Sequence, residues 1–183
     1  MSVEPILRKL SADSSSLPYP IHESAFLSPE SITFSQDVRD ACEANLCGMY
    51  GKCWTCPPGV GAWQELRDHY QKFSNAFVFT TKHELEDSFD IEGMNDGRIA
   101  HTSTERAIES VLFGQSERFE ICGAEGCSLC EKCTYPDAPC RNPGLAHHSM
   151  EATGINVVKL AADNGIHYIN GANTVTYFSI IFW

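Results

Sequence analysis

The C-terminal run Asn170-Gly171-Ala172-Asn173-Thr174-Val175-Thr176-Tyr177-Phe178-Ser179-Ile180-Ile181-Phe182-Trp183 decides the fold class. Asn-Gly is a strong turn signal. The residues after it are β-branched and aromatic, with apolar side chains at both odd and even positions. A strand that is wet on one face alternates, whereas one that is apolar on both faces is covered on both. Thr174–Phe182 therefore reads as a central strand. Ala76-Phe77-Val78-Phe79-Thr80-Thr81 has the same character and reads as a second buried strand. Ile166–Ile169 reads as a third, on the other side of the Asn170-Gly171 turn, and Ser31–Phe34 as a short fourth.

Helical periods lie between these runs. Trp63, Leu66, Tyr70 and Phe73 predict an amphipathic helix over 62–73. Thr102 and Glu105 have capping-box spacing, with Ile108, Val111 and Leu112 as an apolar stripe and Gly114 as a stop, so a helix is expected over about 102–113. Ile155, Val158 and Ala162 predict a short helix ending at Asn164-Gly165. Residues 83–97 are acidic and carry Gly93 and Asn95-Asp96-Gly97, and they read as a mobile surface loop. Residues 1–24 are polar and rich in Ser and Pro, a loosely packed leading segment. Residues 25–183 then form a single domain of the α+β class (or a small α/β layer): a compact mixed sheet with flanking helices and two cysteine-rich, cluster-binding loops.

Thirteen basic residues stand against 24 acidic ones in 183, a net charge of −11. Such a surface repels phosphate backbones and anionic lipid, which argues against nucleic-acid and membrane partners. The longest apolar stretch, Tyr177–Trp183, is too short to span a bilayer. The first residues carry no apolar run of signal-peptide length, so a cytoplasmic, reducing environment is expected. The nine cysteines are then more naturally metal ligands or redox thiols than disulfides.

Eight of them fall into two blocks. The second block, at 127–140, is Cys127-x2-Cys130-x2-Cys133-x6-Cys140. A Cys-x2-Cys-x2-Cys run wraps a loop around one centre. A cubane iron–sulfur cluster needs that geometry, with a fourth thiolate from farther off. Structural zinc is the alternative, although zinc ribbons place two Cys-x2-Cys pairs well apart. The first block, at 42–56, is Cys42-x4-Cys47-x5-Cys53-x2-Cys56-Pro57-Pro58. A second metal centre is expected there, with ligation crossing between the blocks left open. Cys122 stands outside both sets and reads as a buried apolar cysteine.

These residues carry a resemblance. The segment Cys42-x4-Cys47-Gly48-Met49-Tyr50-Gly51-Lys52-x-Trp54-x-Cys56-Pro57-Pro58-Gly59 resembles the first signature of a family of predicted metal-binding proteins found mostly in anaerobic bacteria and archaea (domain of unknown function 2284). Cys127-x2-Cys130-x2-Cys133-x-Tyr135-Pro136-x3-Cys140-Arg141-x-Pro143, running on into His148-Ser149-Met150-Glu151-Ala152, is similar to its second. The likeness covers about residues 30–183. It implies metal or iron–sulfur binding and no particular reaction. In the family's first motif the position of Cys53 is commonly another residue. This implies Cys42, Cys47 and Cys56 as the matched ligands and Cys53 as an extra. Three thiolates would leave one iron open to substrate; a fourth would close the centre for electron transfer.

The expected function is therefore an iron–sulfur protein with two [4Fe-4S] clusters that exchanges electrons with a redox partner protein. The alternatives are an enzyme with an open iron, or a structural zinc module. Around the ligands, Arg141 and Lys52 are candidates to offset sulfur charge, Tyr50 and Trp54 to shield the first block, and His148 and Glu151 to carry protons. No glycine-rich nucleotide motif is present.

Overall fold

A computed structural model describes residues 2–183, and Met1 lies outside them. In chain order the elements are α1 (Val3–Ala12), β1 (Ser24–Leu27), α2 (Gln36–Glu43), α3 (Trp63–Tyr70), β2 (Ala76–Glu84), α4 (Ile91–Leu112), β3 (Glu120–Gly123), β4 (His148–Ser149), α5 (Val157–Asp163) and β5 (Thr174–Phe182). The strands form one mixed sheet in the order β1-β2-β5-β3-β4. Only the β3–β4 pair is parallel. This is the expected α+β architecture, and β5 is its central strand.

The two-sided apolar pattern of β2 and β5 has a direct cause. Val78 pairs with Ile180 and Phe77 with Ile181, and successive side chains go to opposite faces. One face carries Ala76, Val78, Phe178, Ile180 and Phe182, and packs with Tyr70, Ile155 and Leu160 of the α3 and α5 side. The other carries Phe77, Phe79 and Ile181, and packs with Val3, Leu7, Ile108 and Leu112 of α1 and α4. Each fully covered Phe or Ile contributes roughly 1.5–3 kcal/mol, so both faces of the sheet are cores.

Several local expectations are corrected. The leading segment is not loosely packed: residues 3–12 form a helix whose Val3 and Leu7 are completely buried. Residues 83–97 are not a loop, because β2 runs to Glu84 and α4 starts at Ile91. The cap is Asp90, whose Oδ1 accepts the Gly93 N–H at 2.8 Å, and Glu92 suits the positive helix start. Thr102 lies about three turns inside α4 and donates to the Arg98 carbonyl. Gly97, read as part of a turn, sits in the helix because an added Cβ would meet His83 Cγ at 2.8 Å. The predicted 102–113 helix is thus the second half of a longer one.

Ser31–Phe34 is no strand: a 3-10 turn covers Pro29–Ser31, and Phe34 makes an isolated bridge to Ile155. Ile166–Ile169 is irregular. In α5 the buried residues are Val157, Leu160 and Ala161, while Val158 faces out. Strands β1, β3 and β4 and helix α2 were not expected. Among the described residues no helix is long and apolar enough to cross a membrane.

Candidate metal centre

The first block starts on a helix and continues as a loop. Cys42 is in the last turn of α2, and the chain then reverses through Asn45, whose left-handed φ of 57° ends the helix. Asn45 Oδ1 accepts the Tyr50 N–H at 2.9 Å and ties the loop together. The helix is held in place by a residue that sequence reading passed over. Arg39 is 7% exposed, and its guanidinium donates to the carbonyls of Ala152 and Gly61. A buried guanidinium between two loops fixes both to α2. Its position four residues after Ser35 gave no periodic signal, because α2 exposes most of its surface.

The two blocks, 70 or more residues apart in the chain, lie against each other. The Cys127 N–H donates to Thr55 Oγ1 at 3.0 Å. The Thr55 hydroxyl is also 3.3 Å from Cys53 Sγ. A Cβ on Gly126 would fall 2.5 Å from Met49 Cε, 3.1 Å from Cys56 Sγ and 3.3 Å from Cys53 Sγ, so the missing side chain lets the second block lie close against those sulfurs. Trp54 crosses over as well: its Nε1–H donates to the Ala138 carbonyl at 3.1 Å, and its ring meets Tyr135 edge-on at 4.9 Å. It braces the second block rather than simply shielding the first.

The four thiols of the first block divide three to one. Cys42, Cys47 and Cys56 line a cleft of about 480 Å³, together with Tyr50 and Glu151. Cys53 is 2% exposed and is not part of that lining. A hydrogen bond from the Cys56 thiol, supported by Thr55 and the Cys127 N–H, outweighs burial and holds the Cys53 thiol down, to about 5. Cys56, the donor of that pair, is pushed up. Burial, then the Glu151 carboxylate, raises Cys42 to about 11. A cation is what would make Cys42 ionise near neutral pH, since metal binding displaces thiol protons.

In the second block, Cys127, Cys130, Cys133 and Cys140 together line one small pocket of about 20 Å³. The Asn142 backbone N–H points at Cys140 Sγ (3.4 Å) and its side-chain amide at Cys130 Sγ (3.5 Å). Arg141 does not reach the sulfurs: it donates to the Lys132 carbonyl at 3.0 Å and clasps the loop.

The remaining candidates fall apart from one another. Glu151 accepts a hydrogen bond from Ser149 Oγ at 2.9 Å and faces the cleft. Lys52 is exposed. His148 is hydrogen-bonded to the Tyr70 hydroxyl at 2.8 Å and lines a separate cavity with Glu109, Arg118 and Glu120. Cys122 is completely buried in the core, and burial raises its thiol, as a structural cysteine requires. Behind the second block, His147 joins two buried carboxylates, Glu105 and Glu109. Sequence reading missed these partners, which come from polar positions of α4.

All nine cysteines are free thiols. Among the described residues no three Cys, His, Asp or Glu side chains converge closely enough to hold one metal ion. The fit to metal lies in donor chemistry. Two thiol-rich sets sit side by side, and amide N–H groups face sulfur in the second. Soft sulfur donors of this kind suit iron–sulfur clusters or zinc.

A mixed open sheet carrying two adjoining thiol-rich loops defines a cysteine-rich α+β protein of the metal-binding class. The chain belongs to the family described as predicted metal-binding protein, domain of unknown function 2284, which it matches over residues 25–183. No curated protein and no solved structure matches it.

Proposed function

We propose that this protein holds two iron–sulfur centres, one in each cysteine block, and passes electrons between them and a partner protein. The observation that supports the reading best is the meeting of the blocks at Thr55, Gly126 and Cys127. Two centres built on loops in van der Waals contact would be neighbours, as a relay needs. When bound, such clusters supply one-electron chemistry, with potentials tuned by hydrogen bonds to sulfur and by burial. Asn142 and Thr55 would provide the hydrogen bonds, and Trp54 and Tyr135 would exclude water. The net charge of −11 would steer the protein to a basic patch on a cytoplasmic redox partner rather than to nucleic acid.

A second reading has its own observation. Cys42, Cys47 and Cys56 share a cleft that the buried Cys53 does not line. A centre with three protein thiolates would keep a position for substrate, and the protein would then be an enzyme. Structural zinc is the third reading of the same thiols. Replacement of Cys53 by Ser separates the first two: loss of one whole cluster supports the closed relay, and full retention of iron supports the open centre. Stoichiometric zinc in a colourless protein contradicts both.

A further inference from the structure

The cleft beside the first block has a chemistry of its own. Its walls are apolar and aromatic: Val38, Leu46 and Ile155 with Tyr50, Tyr168 and Tyr177. Tyr168 is stacked on Phe178 with ring centroids 5.5 Å apart, so one wall presents an ordered π surface. Among the described residues no Lys, Arg or His lines it, whereas Glu125 and Glu151 do. Glu125 is matched by Arg98, whose Nε lies 3.3 Å from its carboxylate. Glu151 has a neutral partner, the Ser149 hydroxyl. Three thiols, Cys42, Cys47 and Cys56, complete the lining. A dicationic metal or cluster core held by three thiolates leaves one net negative charge, which adds to that of Glu151.

We propose that this cleft binds a small organic cation with an apolar body, an alkyl- or arylammonium, between the Tyr168 side and Glu151. Aromatic faces with a carboxylate and no competing cation attract ammonium groups through the ring quadrupole and by direct charge pairing. The volume of about 480 Å³, part of which a centre at the three thiols would fill, lies within the range of small-molecule sites. The same field rejects carboxylates and phosphates. The proposal rests on the second reading above, a centre held by Cys42, Cys47 and Cys56, and it names the ligand class that such a centre would meet.

The test uses three probes of similar size and different charge on the protein as purified: benzyltrimethylammonium, benzyl alcohol and phenylacetate. Affinities are measured by ligand-observed NMR, and metal content is assayed on the same sample. The expected order is cation, then alcohol, then anion, with the cation at least ~10-fold tighter than the anion. Glu151→Gln should bring cation and alcohol to within about threefold of each other. Val158 is 57% exposed at the rim, so Val158→Trp should fill the cleft and weaken all three probes without disturbing the core. Equal or tighter binding of phenylacetate overturns the proposal, as does failure of benzyltrimethylammonium to bind at millimolar concentration or indifference to both substitutions. A metal-free sample that keeps the order overturns the metal reading alone. A metal-loaded sample that lacks it overturns this one.

Discussion

The Cys127 N–H donates to the buried hydroxyl of Thr55 at 3.0 Å. That bond joins the start of the second cysteine block to the middle of the first, and the same hydroxyl touches Cys53 Sγ. One side chain thereby links two loops that share no β-ladder, and the consequences of removing it are specific.

Thr55→Val keeps the shape and removes the acceptor. Thr55 is 2% exposed, so the Cys127 N–H is left unpaired in a dry site, at a cost of about 1–3 kcal/mol. Chemical denaturation reads that cost. Urea stability equal to that of the wild type would show that the Thr55–Cys127 bond does not tie the two blocks together.

Gly126→Ala places a Cβ 2.5 Å from Met49 Cε, 3.1 Å from Cys56 Sγ and 3.3 Å from Cys53 Sγ, so the first-block loop must shift to admit it. The first block should then lose metal to a chelator faster than the wild type. Gly144→Ala is the control, because its Cβ meets nothing within 4 Å. Equal metal loss from the two variants would mean that the closeness of the blocks does not matter for binding.

The buried network behind the sheet should be strongly coupled. Glu105 is 4% exposed, accepts from Ser179 Oγ at 2.6 Å and is hydrogen-bonded to His147. Removing one partner from such a group strands the others, so Glu105→Leu should cost about 3 kcal/mol or more in chemical denaturation. Adding His147→Leu should cost less than its own single-variant loss, because the Nδ1–H already left unpaired by Glu105→Leu is then gone. A strictly additive double variant would contradict the coupling.

The histidines of this region should titrate in opposite directions. Burial pushes His101 down, to about 4 from its ordinary 6.5. The unfolded chain therefore takes up that proton first, and the stability contributed by neutral His101 is complete above 6.5 and is lost as pH falls from 6.5 towards 4. Burial alone would lower His147 too, but its hydrogen bonds with Glu105 and Glu109 outweigh it and raise it. The stability contributed by charged His147 is complete below 6.5 and is lost as pH rises through the raised value. NMR titration of the two ring signals checks both: His101 should titrate below the ordinary 6.5 and His147 above it. The reverse order would undo the assignment.

The sheet was legible where composition is unambiguous. Thr174–Phe182 and Ala76–Thr81 are apolar on both faces, and burial on both faces is the physical reason. Strand β3 was hidden because Glu120–Gly123 is four residues long and abuts the second block. Helix α4 was read short because its buried face is polar: His101, Thr104, Glu105 and Glu109 are all buried there, each through long-range partners that no local pattern contains. The cysteine spacing announced two thiol-rich loops. It did not announce that they touch, since that contact depends on Gly126 lacking a side chain and on Thr55 being buried.

The central claim, two iron–sulfur centres on adjoining loops, is tested most directly by iron, acid-labile sulfide and zinc analysis of anaerobically purified protein. About eight iron and about eight sulfide per chain are predicted, with Thr55→Val or Gly126→Ala lowering that number. A colourless protein with stoichiometric zinc and no sulfide would contradict the account.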